Sequence, residues 1–224
     1  MGTFGGAQPI VTDGLVFAVD AANKDSYSGS GTTWKDLSGN GNNGTLTNGP
    51  TFDSVNGGSI VFDGTNDYIS FGNPAEVQFI YTNEFSLEAW VNPNALSGFK
   101  HIIGKTYGNY RLAHSGTNIS FRLDANTIVT SGGSLVVGEW THIIATWDPL
   151  TQTAKVYQNG IQVSSVTNIT CDWTSTSNNF QLGNSPGENY YFDGKITLGN
   201  AYSKTLTPSE ILQNYNALKS RFNL

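Results

Sequence analysis

Residues 85–91 read FSLEAWV, and their alternation decides the fold class. Phe85, Leu87, Ala89 and Val91 fall on one face of an extended chain, with Ser86, Glu88 and Trp90 on the other. A period of two is the mark of a strand. WTHIIATWD (140–148) repeats it, setting Trp140, His142, Ile144 and Thr146 against Thr141, Ile143, Ala145 and Trp147. Outward from these two, GLVFAVD (14–20), SIVFD (59–63), DYISF (67–71), TAKVYQNG (153–160) and GIQVSSV (160–166) add further strands. Asn159-Gly160 joins the last two as a hairpin, because a type I′ turn needs positive φ at both central residues. Asp63-Gly64 to Asp67 reads as a second tight connection and Gly132-Gly133 as a third.

One segment changes period. TPSEILQNYNALKSRF (207–222) has Thr207 placed to N-cap a helix, Pro208 at its first position and Glu210 where a capping box wants it. Ile211, Leu212, Tyr215, Leu218 and Phe222 form one apolar stripe, which predicts a helix over about 208–222 docked on the sheets. Many short strands, frequent turns and one terminal helix describe an all-β sandwich.

DLSGNGNNGTLTNGPTF (36–52) tests whether that sandwich is one domain or two. It holds four Gly and four Asn and a single charge, Asp36. Strand-like segments lie on both sides of it, and Leu37, Leu46 and Phe52 give it apolar anchors that a free linker lacks. It reads as an ordered loop crossing a rim into a short edge strand near Thr45–Leu46. Asp36, Ser38 and Asn40 alternate as in a calcium loop, but the bidentate Glu such a loop needs is Thr47 here. The expected organisation is a flexible Gly-rich arm over residues 1–13 and a single domain over 14–224.

Composition narrows the function. Of 224 residues only 12% are charged, about half the usual ~25%. Solubility rests instead on amide and hydroxyl groups, among them 24 Asn. A net charge of −6 and the absence of any Lys/Arg-rich run argue against nucleic-acid binding. No apolar run reaches the ~18 residues of a membrane span, and residues 1–14 lack the basic and apolar regions of a secretory signal. The one cysteine, Cys171, excludes an intrachain disulfide and has no activating neighbour in sequence.

Catalytic patterns are missing too. Glycoside hydrolysis needs two carboxylates about 5–9.5 Å apart; Glu84 and Glu88 are the nearest candidates, and no strand carries acids at alternating positions. No Gly-x-Ser-x-Gly elbow accompanies His101, His114 and His142, and His142 reads as a packed sheet residue. The expectation is a protein that is not an enzyme. Asp63 and Asp67 flank a turn, where their oxygens can either take Ca²⁺ or cap the turn by bonding its own backbone. Among 10 Tyr, 12 Phe and 5 Trp, Tyr107, Tyr110, Tyr190 and Tyr191 fall near Gly/Asn-rich turns. There they either contact a sugar or partner protein or finish the sandwich rim.

Taken in order, GLVFAVDAAN, DLSGNGNNGTLTNGPTF, SIVFDGTNDYISF, FSLEAWV, EWTHIIATWD, KVYQNGIQV, FDGKI and LTPSEILQNYNALKSRF resemble the concanavalin A-like/laminin G-like jelly-roll family over residues 14–222. The closing QNYNALKSRF and DLSGNGNNGTL look like the subset found in virion proteins of tailed bacteriophages. The resemblance implies a two-sheet antiparallel jelly roll with one short C-terminal helix, non-enzymatic binding of carbohydrate or protein, and often a Ca²⁺. In related pentraxins, calcium and ligand lie where a strand pair like KTYGNYRL (105–112) meets a loop like GNSPGENYYF (183–192). That implies Asn109, Asn184 and Glu188 here. Many members also read Ile-Asp-Glu where this chain has Ile196-Thr197-Leu198.

The expectation is therefore a structural or binding protein of a phage virion, in the capsid or in a fibre or tail. A carbohydrate-binding module of a secreted or cell-surface bacterial protein is the alternative. Ligand contact is expected from Asn109, Tyr110, Asn184, Glu188, Tyr190 and Tyr191, and metal contact from Asp63 and Asp67. No cofactor is required, and the one ion that the resemblance raises is Ca²⁺. Expected partners are other virion proteins, a host surface glycan and further copies of the chain, with no nucleic acid and no membrane insertion.

Overall fold

A computed structural model describes residues 8–106, 108–124, 127–130 and 133–224. Sixteen strands are present among them: β1 (Leu15–Asp20), β2 (Thr33–Trp34), β3 (Gly44–Thr47), β4 (Thr51–Asp53), β5 (Ser59–Asp63), β6 (Tyr68–Ser70), β7 (Phe85–Pro93) and β8 (Phe99–Gly104) in the first half. The second half adds β9 (Tyr110–Ser115), β10 (Asn118–Leu123), β11 (Thr127–Thr130), β12 (Thr141–Asp148), β13 (Thr153–Gln158), β14 (Ile161–Val166), β15 (Gln181–Leu182) and β16 (Asp193–Tyr202). They form two antiparallel sheets. The first runs β14-β13-β12-β7-β16-β5-β4, with β1 also paired to β16; the second runs β11-β10-β9-β8-β15-β6-β3-β2.

FSLEAWV becomes the middle of the first sheet. Phe85, Leu87, Ala89 and Val91 all point into the core between the sheets, as alternation requires. There they meet Phe17, Ile60, Phe62, Ile143, Ala145 and Trp147 from their own sheet and Ile69, Ile103, Leu112 and Phe121 from the other. Each fully buried large apolar side chain stabilises by roughly 1.5–3 kcal/mol, so this layer supplies the stability that no disulfide provides. Edge-to-face pairs such as Phe17–Phe71 (4.7 Å, 78°) give it shape specificity.

The opposite face of β7 is not solvated. Trp90, Leu198 and Phe222 pack there with Trp140, Tyr215 and Leu218, and Val11, Ile144, Tyr157, Tyr202, Leu206 and Ile211 form a neighbouring cluster. The cover is helix α1 (Pro208–Leu218), continued by a 3-10 turn over Lys219–Phe222. Its start is the expected capping box: the Glu210 amide donates to Thr207 Oγ1 and Glu210 Oε2 accepts from the Thr207 amide. The stripe differs from expectation at one position. Leu212 is 46% exposed, and Asn214 takes the inward place, completely buried.

Tight turns account for the connections. Asn159 (φ 52°) and Gly160 (φ 79°) make the type I′ turn between β13 and β14. Asp63 to Asp67 links β5 to β6, but these lie in different sheets, so the turn is a crossing rather than a hairpin. The third turn read from sequence, Gly132-Gly133, falls partly outside the described residues.

The 36–52 stretch covers the free edge of β1. Ala18 N donates to Asp36 Oδ1 (3.0 Å), Leu37 N donates to Ala18 O (2.7 Å), and Asn40 Nδ2 donates to Val16 O (2.8 Å). These bonds satisfy backbone groups that an open strand would leave unpaired. The stretch then enters β3, which is not the outermost strand: the two-residue β2 pairs beyond it. Residues 8–13, expected as part of a flexible arm, are held against the helix. Val11 is buried, its amide donates to Asn214 Oδ1 (2.8 Å), and Gln213 Nε2 donates to Pro9 O (2.8 Å). The rest of that arm, residues 1–7, lies outside the described residues. Among the described residues no helix is long and apolar enough to cross a membrane.

Candidate functional site

α1 covers the middle of the first sheet's outer face, and among the described residues no α-helix covers that of the second. Its character is set by β8, β9 and β10. The Gly116-Thr117 turn, with Gly116 at φ 57°, joins β9 to β10 so that Arg111 stands directly opposite Arg122. Tyr110, Leu112, Phe121 and Leu123 alternate with them into the core. Beside Arg111 on the other flank, β8 ends in Gly104, paired with Arg111. Gly104 has φ 139°, and a side chain there would sit 2.6 Å from Tyr110 O and 2.7 Å from Arg111 Cα. Only glycine allows β8 to approach this closely.

Arg111 is buried and its guanidinium is engaged. Nη1 donates to Ser185 Oγ (3.2 Å) and forms an ion pair with Glu188. Its Cζ lies 4.8 Å from the Phe99 ring centre and 5.4 Å from that of Tyr190. Burial pulls the Arg111 pKa down, and the Glu188 carboxylate partly offsets that. Arg122 is only partly buried and sits 4.5 Å over the same Phe99 ring. Phe99 and Tyr190 meet edge to face at 4.9 Å. The result is a partly exposed cluster of two guanidiniums, one carboxylate and two rings.

The loop over residues 183–192 carries its own scaffold. Asn184 is buried; its Nδ2 donates to Glu188 O (3.0 Å), and its Oδ1 accepts from the Tyr190 amide (3.0 Å). The His101 amide donates to Tyr190 O (2.9 Å), fastening the loop to β8. The His101 ring is completely buried, and burial with the adjacent Arg111 lowers its pKa to about 3, so it is neutral. With Nε2 donating to Gln181 O (3.3 Å), His101 acts as a floor for the site.

The residues expected to form a site separate into three groups. Glu188 and Tyr190 are partly exposed at this face, and Tyr191, next to Tyr190 in the loop, is partly exposed as well. Asn184 and Asn109 are buried framework: Asn109 Nδ2 donates to Thr174 O (3.0 Å) and its Oδ1 accepts from Thr176 Oγ1 (2.8 Å). Tyr110 is a correction, because it is fully buried and its hydroxyl donates to Val77 O, so no ligand reaches it. Tyr107 lies outside the described residues.

Asp63 and Asp67 each commit one carboxylate oxygen to the turn. Asp63 Oδ1 accepts from the amides of Thr65 (2.8 Å) and Asn66 (3.2 Å), and Asp67 Oδ2 accepts from the Asp63 amide (3.0 Å). Those amides pull the Asp63 pKa down, while burial raises that of Asp67. Among the described residues no group of three or more His, Cys, Asp or Glu side chains comes together as a metal site. At the Ile-Asp-Glu position, Thr197 is buried, donates to Gly58 O (2.6 Å) and accepts from Arg221.

Glu84 and Glu88, the carboxylates nearest to a hydrolase pattern, are used structurally. Glu84 Oε2 accepts from the Thr205 amide, and Glu88 lies under α1 bonded to His142. Burial, with Asp124 and Asp172 nearby, raises the Cys171 thiol to about 11, far from a reactive thiolate. Sequence reasoning passed over Phe99, Arg111, Arg122 and Ser185. One signal was available: the chain has only three arginines, and two of them alternate with core residues on adjacent strands.

The architecture has counterparts. The binding domain of Paraclostridial Mosquitocidal Protein 1 superposes with a TM-score of 0.75 at 19% identity, over 92% of this chain and 52% of that one. The binding domain of botulinum neurotoxin serotype G gives 0.70 at 18%, over 90% and 50%. This chain therefore spans about half the length of those toxin domains. Domain 4 of AbnA, an extracellular arabinanase from Geobacillus stearothermophilus solved with arabinotriose, gives 0.69 at 22%, over 90% of this chain and 98% of that one. At these identities the likeness is one of fold. Among curated proteins, none matches the sequence. Residues 63–212 match the laminin G-type family model described as the concanavalin A-like lectin/glucanases superfamily. That match covers two thirds of the sequence, and the chain belongs to this superfamily.

Proposed function

We propose that this chain is a non-catalytic binding module that holds a glycan on the outer face of its second sheet. One observation carries the reading: α1 and residues 8–13 cover the middle strands of the first sheet's outer face, while Phe99, Arg122, Glu188 and Tyr190 stay partly exposed on the second sheet. Aromatic faces beside a few fixed polar groups are the chemistry by which a shallow site holds a sugar. The neighbours support a binding role: two are named as binding domains, and the arabinanase domain was solved with an oligosaccharide.

The test is a glycan panel that includes arabino-oligosaccharides, probed with the full chain and with Tyr190→Ala. Binding that falls at least tenfold in the variant, with an unchanged urea midpoint, supports the assignment. A panel with no ligand, or binding indifferent to Tyr190, overturns it.

A place on a phage particle is the setting that the resemblance of DLSGNGNNGTL and QNYNALKSRF suggests. The toxin and arabinanase neighbours favour a bacterial binding module equally. Cosedimentation of the chain with capsids or tails distinguishes the two, and its oligomeric state belongs to the same measurement.

A further inference from the structure

We infer that the Arg122 end of this face reads a carboxylate, so that the ligand is an acidic sugar of the uronic or sialic type. The inference rests on the glycan-binding reading and adds the chemical class of the ligand.

The charges at the site do not balance. Arg111 and Arg122 face one another across β9 and β10, and only Arg111 has a carboxylate, Glu188. Among the described residues no ion pair reaches Arg122, although the chain holds 17 acidic residues against 11 basic ones. Residues 125–132, ANTIVTSG, bring no acid from the adjoining sequence. The Arg122 Nε–H is enclosed, as are those of Arg111 and Arg221, so a ligand would meet the Nη end of this guanidinium. In a protein of net charge −6, a held arginine without a counter-ion beside a second arginine is a place for an anion.

The geometry favours a carboxylate on a sugar ring. A guanidinium lying over an aromatic ring spends its face on the ring and keeps its N–H edge for hydrogen bonding. That fork matches a planar carboxylate through two charge-assisted bonds. Tyr190, held by Asn184 and His101, supplies an aromatic surface for the body of the same sugar. A polysulfated chain fits less well. Glu188 stands in the cluster, and the excess of negative charge repels a polyanion over distances that salt screens only beyond roughly 8 Å. A single carboxylate meets Arg122 at contact, where the local attraction dominates.

The experiment titrates the full chain with an oligogalacturonate and with its methyl ester, which keeps the sugar and removes the charge. A second pair is 3′-sialyllactose against lactose, and a heparin oligosaccharide serves as the polyanion. The expected result is at least tenfold tighter binding of one carboxylated member than of its neutral partner, weakening as salt rises. Arg122→Gln should erase that preference, and Arg122→Lys should restore part of it. Equal binding of acid and ester through Tyr190, an acid preference that survives Arg122→Gln, or preferential binding of heparin would each overturn this inference and leave the glycan-binding reading standing. Absence of binding to every one of these sugars, together with an empty neutral panel, overturns both.

Discussion

Glu88 and His142 meet beneath the C-terminal helix, with His142 Nε2 2.8 Å from Glu88 Oε1 and neither side chain reached by solvent. The second carboxylate oxygen accepts from Asn200 Nδ2 (3.0 Å), the Tyr202 hydroxyl (3.1 Å) and Asn214 Nδ2 (2.9 Å). Asn214 also accepts from the Val11 amide. One carboxylate thus ties together three strands, the helix and the N-terminal segment. Glu88→Ala would take the acceptor from His142, Asn200 and Tyr202 and one of two acceptors from Asn214. Loss of one partner from a buried charged network costs about 3–5 kcal/mol. The urea unfolding free energy of Glu88→Ala is expected to fall by that amount, and a change under about 1 kcal/mol would show that the network contributes little.

Lys105 predicts an unusual pH dependence. It is 1% exposed, and its Nζ donates to Asn73 Oδ1 (2.6 Å), Gln78 Oε1 (2.9 Å) and Thr176 O (3.5 Å), all uncharged acceptors. Burial lowers its pKa from 10.5 to about 8. Below pH 8 both folded and unfolded chains carry the proton, and the folded state bears the cost of a buried cation. Between pH 8 and 10.5 the folded chain has lost the proton and the unfolded chain still binds it. The contribution of this group to stability therefore rises with pH through that window. The total is about 3 kcal/mol at most. Measured as wild type minus Lys105→Met, stability should climb between pH 8 and 10.5; a flat difference would refute the shifted lysine.

Tyr110 and Tyr190 separate core from site by experiment. Tyr110→Phe removes one buried hydroxyl bonded to Val77 O, so unfolding free energy should drop by about 1 kcal/mol while sugar binding stays as it was. Tyr190→Ala should do the reverse, sparing stability and weakening binding. If Tyr110→Phe impaired binding at constant stability, the boundary drawn between core and site would be wrong.

These residues also show where the sequence could be read and where it could not. The period of two in FSLEAWV was enough to place Phe85, Leu87, Ala89 and Val91 in the core, because pleating allows no other result. The same period sent Glu88 and Trp90 to the outer face, correctly, but could not say that a helix more than a hundred residues later would cover that face. Asn214 was invisible for the same reason: its place in the helix is set by Glu88, and a stripe counted by hydropathy selects Leu212 instead. Capping chemistry is local, so Thr207 and Glu210 were legible. Arg111 opposite Arg122 is a matter of register, fixed by the two-residue Gly116-Thr117 turn. Tyr110 was misplaced because nearness to a turn says nothing about which side of the sheet a ring occupies.

Asp36 carries the last prediction. In sequence it heads a stretch with the spacing of a calcium loop, yet both of its oxygens are already engaged. Oδ1 accepts from the amides of Ala18 (3.0 Å) and Ser38 (2.9 Å), and Oδ2 accepts from Ser38 Oγ (2.7 Å) and the Asn42 amide (3.1 Å). The carboxylate does for the edge of β1 what a neighbouring strand would otherwise do. Asp36→Ala frees the Ala18 amide and unties the loop, at a cost of about 2–3 kcal/mol for charge-assisted bonds. Hydrogen exchange should speed up at Ala18 and Leu37 while the Ile60 and Leu87 amides stay protected. Because no oxygen of Asp36 is left for a cation, millimolar Ca²⁺ or a chelator should leave the wild-type melting temperature unchanged. A melting temperature raised by Ca²⁺ and insensitive to Asp36→Ala would place a metal elsewhere, whereas a rise abolished by that substitution would return the loop to the calcium reading its spacing first suggested.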